Sequence, residues 1–456
     1  MRRVVKVSRI RIIITIIVVV LTTLLTGCTG KEPNEIAYVV ALGIDSTDDD
    51  NYKITIQYAN TTQISGGASE SGGKAGSEIV DNVTIEAPNI YAGVGLANNI
   101  VSKSFSMSHA KLIVFSKEIA EKGVKDMIET LVRSEEIRPD VFIAVANTTA
   151  NDYLTSVNPE MEVNPAQYYQ LIYQKNQLVG IPDGQLREFF TGLYTDNYDS
   201  ILPIAGVIEG SGGNSQNDDK GQSKDSQNEG SEGSSESLDS FESKSSNEKD
   251  ENEKEKDAEK NTSKYEYDIK NYVGGETAIE KKNKAEAIGA AVFEKDKMVG
   301  ELGEVETEIC KMLKGDYTYS YLTYYNNDTP DIPITVKTTQ QKKPKYKIDT
   351  DKKTVDIELY IESDLYSLPA DYNVENKIED FERDVANYTS SACTEFINNF
   401  TKKYNSDILK LNEKVKYKFL TNNQYNWFKK NVGWSEYKFS VCTNFKVRRT
   451  GLIVRK

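Results

Sequence analysis

The feature that most limits how this chain can fold is a long polar segment near its middle. Residues from Glu209 to about Ser263 are almost all Ser, Asn, Glu, Lys, Gly and Asp, and only Leu238 and Phe241 are large and apolar. Such a segment cannot bury enough apolar surface to offset the loss of chain entropy, so the sequence predicts that it is disordered. The folded part of the chain must therefore be built from the residues on either side of it.

The charge of the chain is concentrated in the same segment. The formal net charge is −14, and the residues from Glu209 to Lys260 contribute 16 acidic and 7 basic side chains, a net of −9. The rest of the chain carries only −5, and no basic face stands out. This distribution does not favour binding to nucleic acid, and we predict no nucleic-acid partner.

The first residues have the layout of a secretory signal. Basic residues from Arg2 to Arg11 precede fourteen uncharged, mostly apolar residues, Ile12 to Leu25, and no acidic residue occurs before Glu32. A membrane-spanning helix needs about 20 apolar residues. A cleaved signal is therefore favoured over a permanent transmembrane helix.

A lipobox follows the apolar run, as Leu25-Thr26-Gly27-Cys28. Small residues before the cysteine let the extended chain enter a peptidase site, and the thiol can carry a thioether-linked lipid. One acyl chain alone binds a membrane weakly, so a diacylglyceryl group is expected on Cys28. The sequence thus predicts a signal peptide over residues 1–27 and a mature chain that is lipid-anchored to the extracytoplasmic face of the membrane.

Alternation of apolar and polar residues and short apolar runs predict strands on both sides of the polar segment. Residues 52–58 alternate, and residues 79–85 are predicted to pair with them across a Gly/Ser loop. Residues 201–205 and 285–302 flank the polar segment and are predicted to be neighbouring strands. The segment 209–263 is then an overgrown loop, which is tolerated because closure entropy grows slowly with loop length.

The C-terminal third and the regions between strands supply further predicted elements. Alternation predicts C-terminal strands over residues 355–361, 415–419 and 437–445. Three- and four-residue spacing predicts three helices, over Ile119–Val132, Pro165–Gln174 (with Asn164 as its N-cap) and Val374–Tyr404. Strands, a long helix and then strands indicate an α+β fold with mixed or antiparallel sheets.

Residues that usually carry chemistry are scarce in this sequence. His109 is the only histidine and begins an apolar segment, so a structural hydrogen-bonding role is predicted for it. Cys310, Cys393 and Cys442 are odd in number and far apart, which predicts neither a disulfide framework nor a metal cluster. One pair could form a bridge, but buried free thiols are favoured. We predict no catalytic residue, no metal and no cofactor, and the sequence defines no ligand-binding residue.

Five sequence blocks occur in a fixed order along the chain. They are Glu35–Asp45 with Tyr52–Gln57, Ser108–Ser116, Arg133–Arg138, Ala290–Leu302 and Val447–Gly451. The blocks and their order resemble those of the Ger(x)C family, the lipoprotein subunits of spore germinant receptors. The polar segment departs from the family pattern by its length.

The resemblance implies a non-enzymatic subunit made of three α/β-type domains. It implies a place on the outer face of the spore inner membrane, where A-type and B-type membrane subunits would be the partners in a receptor for small nutrients. The predicted divisions are a signal peptide (1–27), an N-terminal domain (28–150), a middle domain interrupted by the polar segment (151–315) and a C-terminal α+β domain (316–456).

Two other functional classes remain open on the sequence. A substrate-binding lipoprotein of a transporter would have two doubly wound lobes around a ligand cleft, and a nutrient bound to the purified protein would favour it. A lipid-tethered cell-wall hydrolase could act through Ser/Lys chemistry without histidine, and release of muropeptides would favour that class.

Overall fold

The computed structural model describes residues 13–18, 35–49, 51–59, 80–158, 162, 164–174, 180–195, 197–208, 271–277, 283–325, 333–368 and 374–450. The lipobox residues Leu25, Thr26, Gly27 and Cys28 lie outside these ranges. The polar segment 209–263 lies outside them as well, so its disorder stays a prediction.

The N-terminal part of the chain, with residues 283–302, builds a mixed sheet that we call sheet A. Its strands are β1 (Ile36–Ser46), β2 (Tyr52–Ala59), β3 (Val80–Ala87), β4 (Ser104–Ser106), β5 (Leu112–Ser116), β6 (Phe142–Ala146), β7 (Ile201–Val207), β8 (Ala285–Glu294) and β9 (Lys297–Leu302). They lie in the order β3-β2-β1-β5-β6-β7-β8-β9, and β4 pairs with β1. The pairs from β1 through β5 and β6 to β7 are parallel, whereas β2, β3, β8 and β9 pair in an antiparallel manner.

Helices cover both faces of sheet A. They are α1 (Ile90–Ala97), α2 (Lys117–Lys122), α3 (Lys125–Val132), α4 (Ala150–Ser156), α5 (Pro165–Gln174) and α6 (Leu186–Thr195). The central strands β5 and β6 are buried at every position, as expected for parallel strands covered on two faces. The outer strand β3 alternates between more and less buried positions, because one of its faces is closer to solvent.

Both predicted strand pairs of sheet A are confirmed. Strands β2 and β3 pair in an antiparallel manner, with Ile54 opposite Ile85. Strands β7 and β8 also pair in an antiparallel manner, with Leu202 opposite Ala291. The register shifts between Pro203 and Ala205, and the pairing then continues to the ends of both strands, where the backbone N–H of Ile208 donates to the carbonyl of Lys284 at 2.9 Å.

The single helix predicted over Ile119–Val132 is wrong. The structure has two helices, α2 and α3, separated at Gly123, whose φ is +123°. That backbone conformation suits glycine, and a Cβ there would lie 2.7 Å from the Asp296 side chain. The helix over Pro165–Gln174 is confirmed, and the Asn164 side chain accepts a hydrogen bond from the Ala166 N–H at 3.0 Å.

The C-terminal part of the chain forms a second sheet, which we call sheet B. Its strands are β10 (Tyr319–Tyr325), β11 (Pro333–Gln340), β12 (Lys345–Asp349), β13 (Thr354–Ser367) and β14 (Lys438–Arg449). The order is β10-β11-β13-β12. Strand β14 pairs with β13 in a parallel manner, along the edge of β13 opposite to β11 and β12. The helices of this part are α7 (Glu304–Lys314), α8 (Val374–Lys403), α9 (Leu411–Val415) and α10 (Asn422–Asn431).

The long helix α8 packs against sheet B, as its spacing predicted. The Asn398 side chain bonds to both backbone groups of Phe439 on β14, donating to the carbonyl at 3.0 Å and accepting from the N–H at 3.1 Å. Apolar residues of α8 and of sheet B share one buried cluster, which includes Phe396, Phe400 and Leu359. The predicted helix and the flanking strands β13 and β14 are therefore confirmed.

The strand predicted over residues 415–419 is wrong. Val415 ends helix α9, and Lys416–Lys418 form a 3-10 turn. The side chains of this segment do differ in burial: Val415 is buried, Tyr417 is exposed and Phe419 is half-buried. A tight turn can place alternate side chains on opposite sides just as a strand does.

The α+β fold class with mixed sheets is confirmed. Sheet A contains strands from both sides of residue 150, and the chain passes to sheet B through α7; the boundaries at residues 150 and 315 stay predictions. Over the ranges that the structure describes, no helix is both long enough and apolar enough to cross a membrane.

Candidate functional site

The residues that the sequence singled out do not come together in one place. Cys28 and the rest of the lipobox lie outside the described ranges. His109 is exposed, its Nδ1 lies 3.0 Å from the Ser108 hydroxyl, and its ring meets that of Tyr38 edge-on at 4.8 Å. These contacts fit the structural role that the sequence predicts for the histidine.

The three cysteines of the folded part are free thiols. Cys310 on α7 and Cys393 on α8 are buried, and burial raises the pKa of each thiol to about 12. At neutral pH both are therefore protonated and poor nucleophiles. Cys442 is exposed on β14. The preference for buried free thiols is thus correct for Cys310 and Cys393 and wrong for Cys442, because outward-facing positions of β14 are open to solvent.

A group of polar contacts lies where the chain after α8 meets sheet A, a region we call the junction (residues 404–412 against Asp199, residues 293–295 and Gly300). The Ser406 hydroxyl donates to the Phe293 carbonyl at 2.9 Å, and the Asn405 amide donates to Glu294 at 3.0 Å. Sheet A and the C-terminal part are thus linked by directional contacts as well as by apolar packing.

Glycine at position 300 is needed for this approach. A Cβ at Gly300 would lie 2.2 Å from the hydroxyl oxygen of Tyr404. The Tyr404 ring also packs against Phe400 of α8, with centroids 5.2 Å apart. The end of α8 can therefore rest on β9 only because β9 has no side chain there.

Two aspartates, the half-buried Asp199 and the buried Asp407, hold the centre of the junction. Asp199 precedes β7 and accepts hydrogen bonds from the backbone N–H groups of Lys295 and Asp407, each at 2.8 Å. Asp407 returns a bond, because its carbonyl accepts from the Asp199 N–H at 3.2 Å. The two residues therefore join segments more than 200 positions apart in the chain.

The Asp407 carboxylate also starts helix α9. It accepts from the N–H groups of Leu411 and Asn412, each at 2.8 Å. Burial raises the pKa of Asp407 to about 7, with the two N–H donors and Lys414 opposing that rise and Asp199 adding to it. The junction thus contains a carboxyl group that titrates near neutral pH.

Lysines and helix α7 contribute further contacts at this boundary. Lys410 forms an ion pair with Glu188, and its ammonium group lies 4.1 Å from the centre of the Tyr198 ring. Lys311 on α7 is buried and donates to the Ile181 carbonyl at 3.0 Å, and burial lowers the pKa of Lys311. The boundary between the two sheets is therefore held by charged groups at several separate points.

A polar cleft of about 570 Å³ opens beside the two aspartates. Its walls include Asp199, Lys295, Asn405, Lys429 and Trp434. The volume lies within the range of small-molecule sites, and the mixture of positive, negative and amide groups suits a small polar molecule better than an apolar one. Over the described ranges, no group of three or more His, Cys, Asp or Glu side chains could hold a metal ion.

Sequence reasoning did not identify the junction. One local signal was present, because Asp407 stands among the apolar residues Ile408, Leu409 and Leu411 directly after a long helix. An acidic residue inside an apolar run is either a helix cap or a buried group. Its second partner, Asp199, is too distant in sequence for any local pattern to connect the two.

Comparison with known protein families gives two matches, in order along the chain. Residues 30–207 match the model described as "Spore germination protein N-terminal domain". Residues 288–451 match the model described as "Spore germination B3/GerAC like, C-terminal". Together they include most of sheet A, sheet B and the junction.

Curated relatives agree with these matches. The chain is similar to spore germination protein KC of Bacillus subtilis (strain 168), at 26% identity over 35% of this chain and 42% of the relative. It is also similar to the putative spore germination protein YfkR of the same organism, at 28% identity over 32% of this chain and 37% of the relative. The alignments thus span about two fifths of the length of these relatives.

One solved structure is similar along most of its length. The crystal structure of the GerBC protein covers 89% of this chain and 96% of its own, at 15% sequence identity and a TM-score of 0.47.

Proposed function

Because this chain belongs to the Ger(x)C family of spore germination proteins, we propose that it is the lipid-anchored C-type subunit of a spore germinant receptor. In this role it supports assembly and signal coupling with A-type and B-type membrane subunits and does no chemistry of its own. The observation that carries the proposal is the pair of matches at residues 30–207 and 288–451, in order and on either side of the polar segment.

Lipid attachment at Cys28 gives the role a physical basis. A diacylglyceryl group would hold the folded domains within a few nanometres of the outer face of the cell membrane or spore inner membrane. Confinement of this kind raises the effective concentration of the domains around membrane partners without any new contact. The scarcity of catalytic side chains in the sequence supports a non-enzymatic role.

The junction supports a coupling role rather than a catalytic one. Its polar groups are occupied by bonds that hold sheet A and the C-terminal part together, such as the bond from the Asp407 N–H to Asp199. A force applied to either part would be transmitted through these bonds. Coupling through packed, hydrogen-bonded contacts of this kind requires no reaction at the site.

Replacing the anchoring residue tests the proposal. Cys28→Ala should abolish labelling by a fatty acid, leave an unprocessed precursor and weaken germination. Cys442→Ala is the matched control, because it removes an exposed thiol and should keep both the label and germination. A fatty-acid label that persists on Cys28→Ala would show that the lipobox assignment is wrong.

Purification from the spore inner membrane tests the partners separately. A tagged chain should bring down two multi-spanning membrane proteins, and Cys28→Ala should bring down less of both. A lipidated chain that brings down neither protein would contradict the receptor role while leaving the anchor intact.

A further inference from the structure

The turn and helix after α9 expose large apolar side chains that the fold leaves uncovered. Leu420 is 95% exposed, Tyr417 is 78% exposed and Trp427 is 64% exposed. Leu420 lines one concavity together with Tyr417 and a second one together with Trp427, so the three side chains form one continuous surface. Scattered exposed residues need no explanation, but a continuous group of this kind marks a binding surface.

The surface is held in shape by the aromatic residues beneath it. The Phe419 ring packs against Tyr425 and Phe428, with centroids 5.9 Å and 4.9 Å apart, and Phe428 continues to Trp434 at 5.9 Å. Helix α10 begins with a capping box in which Thr421 and Gln424 exchange hydrogen bonds of 3.3 Å. The exposed residues are therefore presented by a rigid support and do not belong to a frayed end.

Positive charge surrounds the apolar residues. Lys416, Lys418 and Lys430 are exposed, and the sequence from Lys414 to Lys430 contains five lysines and no acidic residue. The whole chain has a net charge of −14. Glu413 lies at the edge of the surface, next to Tyr417. A cationic, aromatic surface on an acidic protein is complementary to an anionic partner.

We propose that the aromatic-basic tip, formed by Lys416, Tyr417, Lys418, Leu420, Trp427 and Lys430, is a docking site for anionic phospholipid. Trp and Tyr favour the boundary between headgroups and acyl chains, and lysines beside them pair with anionic headgroups. The tip inserts Leu420 and Trp427 at that boundary. It supplies a second membrane contact besides a lipid at Cys28, and it does not depend on the receptor role.

The two tryptophans of the chain make the tip directly measurable. Trp427 is exposed, whereas Trp434 is only 8% exposed. The full chain is reconstituted into vesicles of phosphatidylcholine with phosphatidylglycerol, the acyl chains being brominated to quench tryptophan fluorescence. Trp427→Phe provides the blank, so that the difference between the two proteins reports Trp427 alone.

We expect the Trp427 fluorescence to be quenched in phosphatidylglycerol vesicles and to recover at high salt. Lys416→Gln, Lys418→Gln and Lys430→Gln together should weaken apparent binding about 100-fold, at about fivefold for each lysine near an anionic surface. A matched triple change of the exposed Lys122, Lys125 and Lys297, which lie on strand β9 and the helices of sheet A, should leave the quenching unchanged. The quenching reports how deeply the Trp427 side chain enters the bilayer. Anchoring through the N-terminus alone therefore does not produce it.

Two outcomes would overturn the proposal. One is Trp427 fluorescence that is unquenched, or quenched equally in pure phosphatidylcholine. The other is a protein partner at the same surface, detected with a photo-crosslinker attached to Leu420→Cys in a Cys442→Ser background in spore membranes. Adducts to lipid support the docking site, whereas adducts to protein alone contradict it. Neither result bears on lipid attachment at Cys28 or on which membrane proteins co-purify with the chain.

Discussion

The junction and the aromatic-basic tip lie close together in the sequence but differ in which side chains they expose to water. The junction buries charge, with Asp407 only 6% exposed, while the tip exposes apolar surface, with Leu420 95% exposed. Asp407 has partners within the fold, because backbone N–H groups donate to its carboxylate. Leu420 has no comparable cover among the described residues.

Burying a charged group and exposing an apolar group both cost free energy, and the comparison shows that the two have different explanations. A buried carboxylate whose hydrogen bonds are complete within the chain belongs to the structure and transmits force between its parts. An apolar surface that the chain leaves uncovered indicates something outside the chain. The junction therefore accounts for internal coupling, and the tip accounts for an external contact.

The largest effect is expected at the junction. Asp407→Ala leaves the N–H groups of Leu411 and Asn412 without their acceptor in a buried place, which should lower the free energy of unfolding by about 2–4 kcal/mol. Urea denaturation measures the loss. Asp351→Ala, at an exposed position, is the control and should change the free energy by less than about 0.5 kcal/mol. If the two substitutions lowered the free energy of unfolding equally, the hydrogen bonds of Asp407 would not be stabilising the junction.

The second effect is a dependence of stability on pH. The pKa of Asp407 is about 7 in the folded chain against an ordinary value of 3.8. Between these values the unfolded chain has lost the proton and the folded chain keeps it, so this group makes stability fall as pH rises from about 4 to about 7. Above about pH 7 its contribution is constant.

Asp407→Asn isolates this contribution, because the amide does not titrate. It keeps only one of the two acceptor oxygens, and that loss changes the stability by an amount that does not depend on pH. Relative to the unsubstituted protein, the variant should gain about 2–4 kcal/mol between pH 4 and pH 7. The nearby charges of Asp199 and Lys414 are present in both proteins and act on both. A difference that stays constant with pH, or that shrinks as pH rises, would contradict the raised pKa of Asp407.

The smallest effect is expected at the tip. Leu420→Ala should change the free energy of unfolding by less than about 0.5 kcal/mol, because the side chain is already in water. Leu409→Ala is the matched control: the same substitution at a residue only 1% exposed should cost about 2–4 kcal/mol. A large loss at Leu420 would show that its side chain supports the fold and does not serve an outside partner.

The sequence predicted those parts of the fold that have a regular period. Strand β2 and the long helix α8 each repeat an apolar position at a fixed spacing, β7 is a continuous apolar run, and each forms where predicted. The break at Gly123 was missed because the apolar pattern continues through it. A positive φ at one glycine ends a helix without disturbing the spacing on either side.

The site was harder to predict because it depends on tertiary contacts. Asp407 meets Asp199 from across the chain, and the helix that Asp407 starts ends at Val415, where a 3-10 turn takes the place of the strand expected at residues 415–419. The exposure of Leu420 was also invisible, because it reflects which elements do not pack there. Local sequence patterns indicate the secondary structure that a residue favours, but not which elements pack over it.

The antiparallel pairing of β7 with β8, on either side of the polar segment, has a consequence for how such a chain can change over evolutionary time. A Cβ on Gly206 would lie 2.2 Å from the backbone of Gly274, so the strand that leads out to the polar segment and the chain that returns from it touch through bare backbone. Residues of the polar segment can be gained or lost without altering any strand pairing of sheet A. A gene encoding the chain can therefore vary in length at this point while the fold it specifies is inherited unchanged.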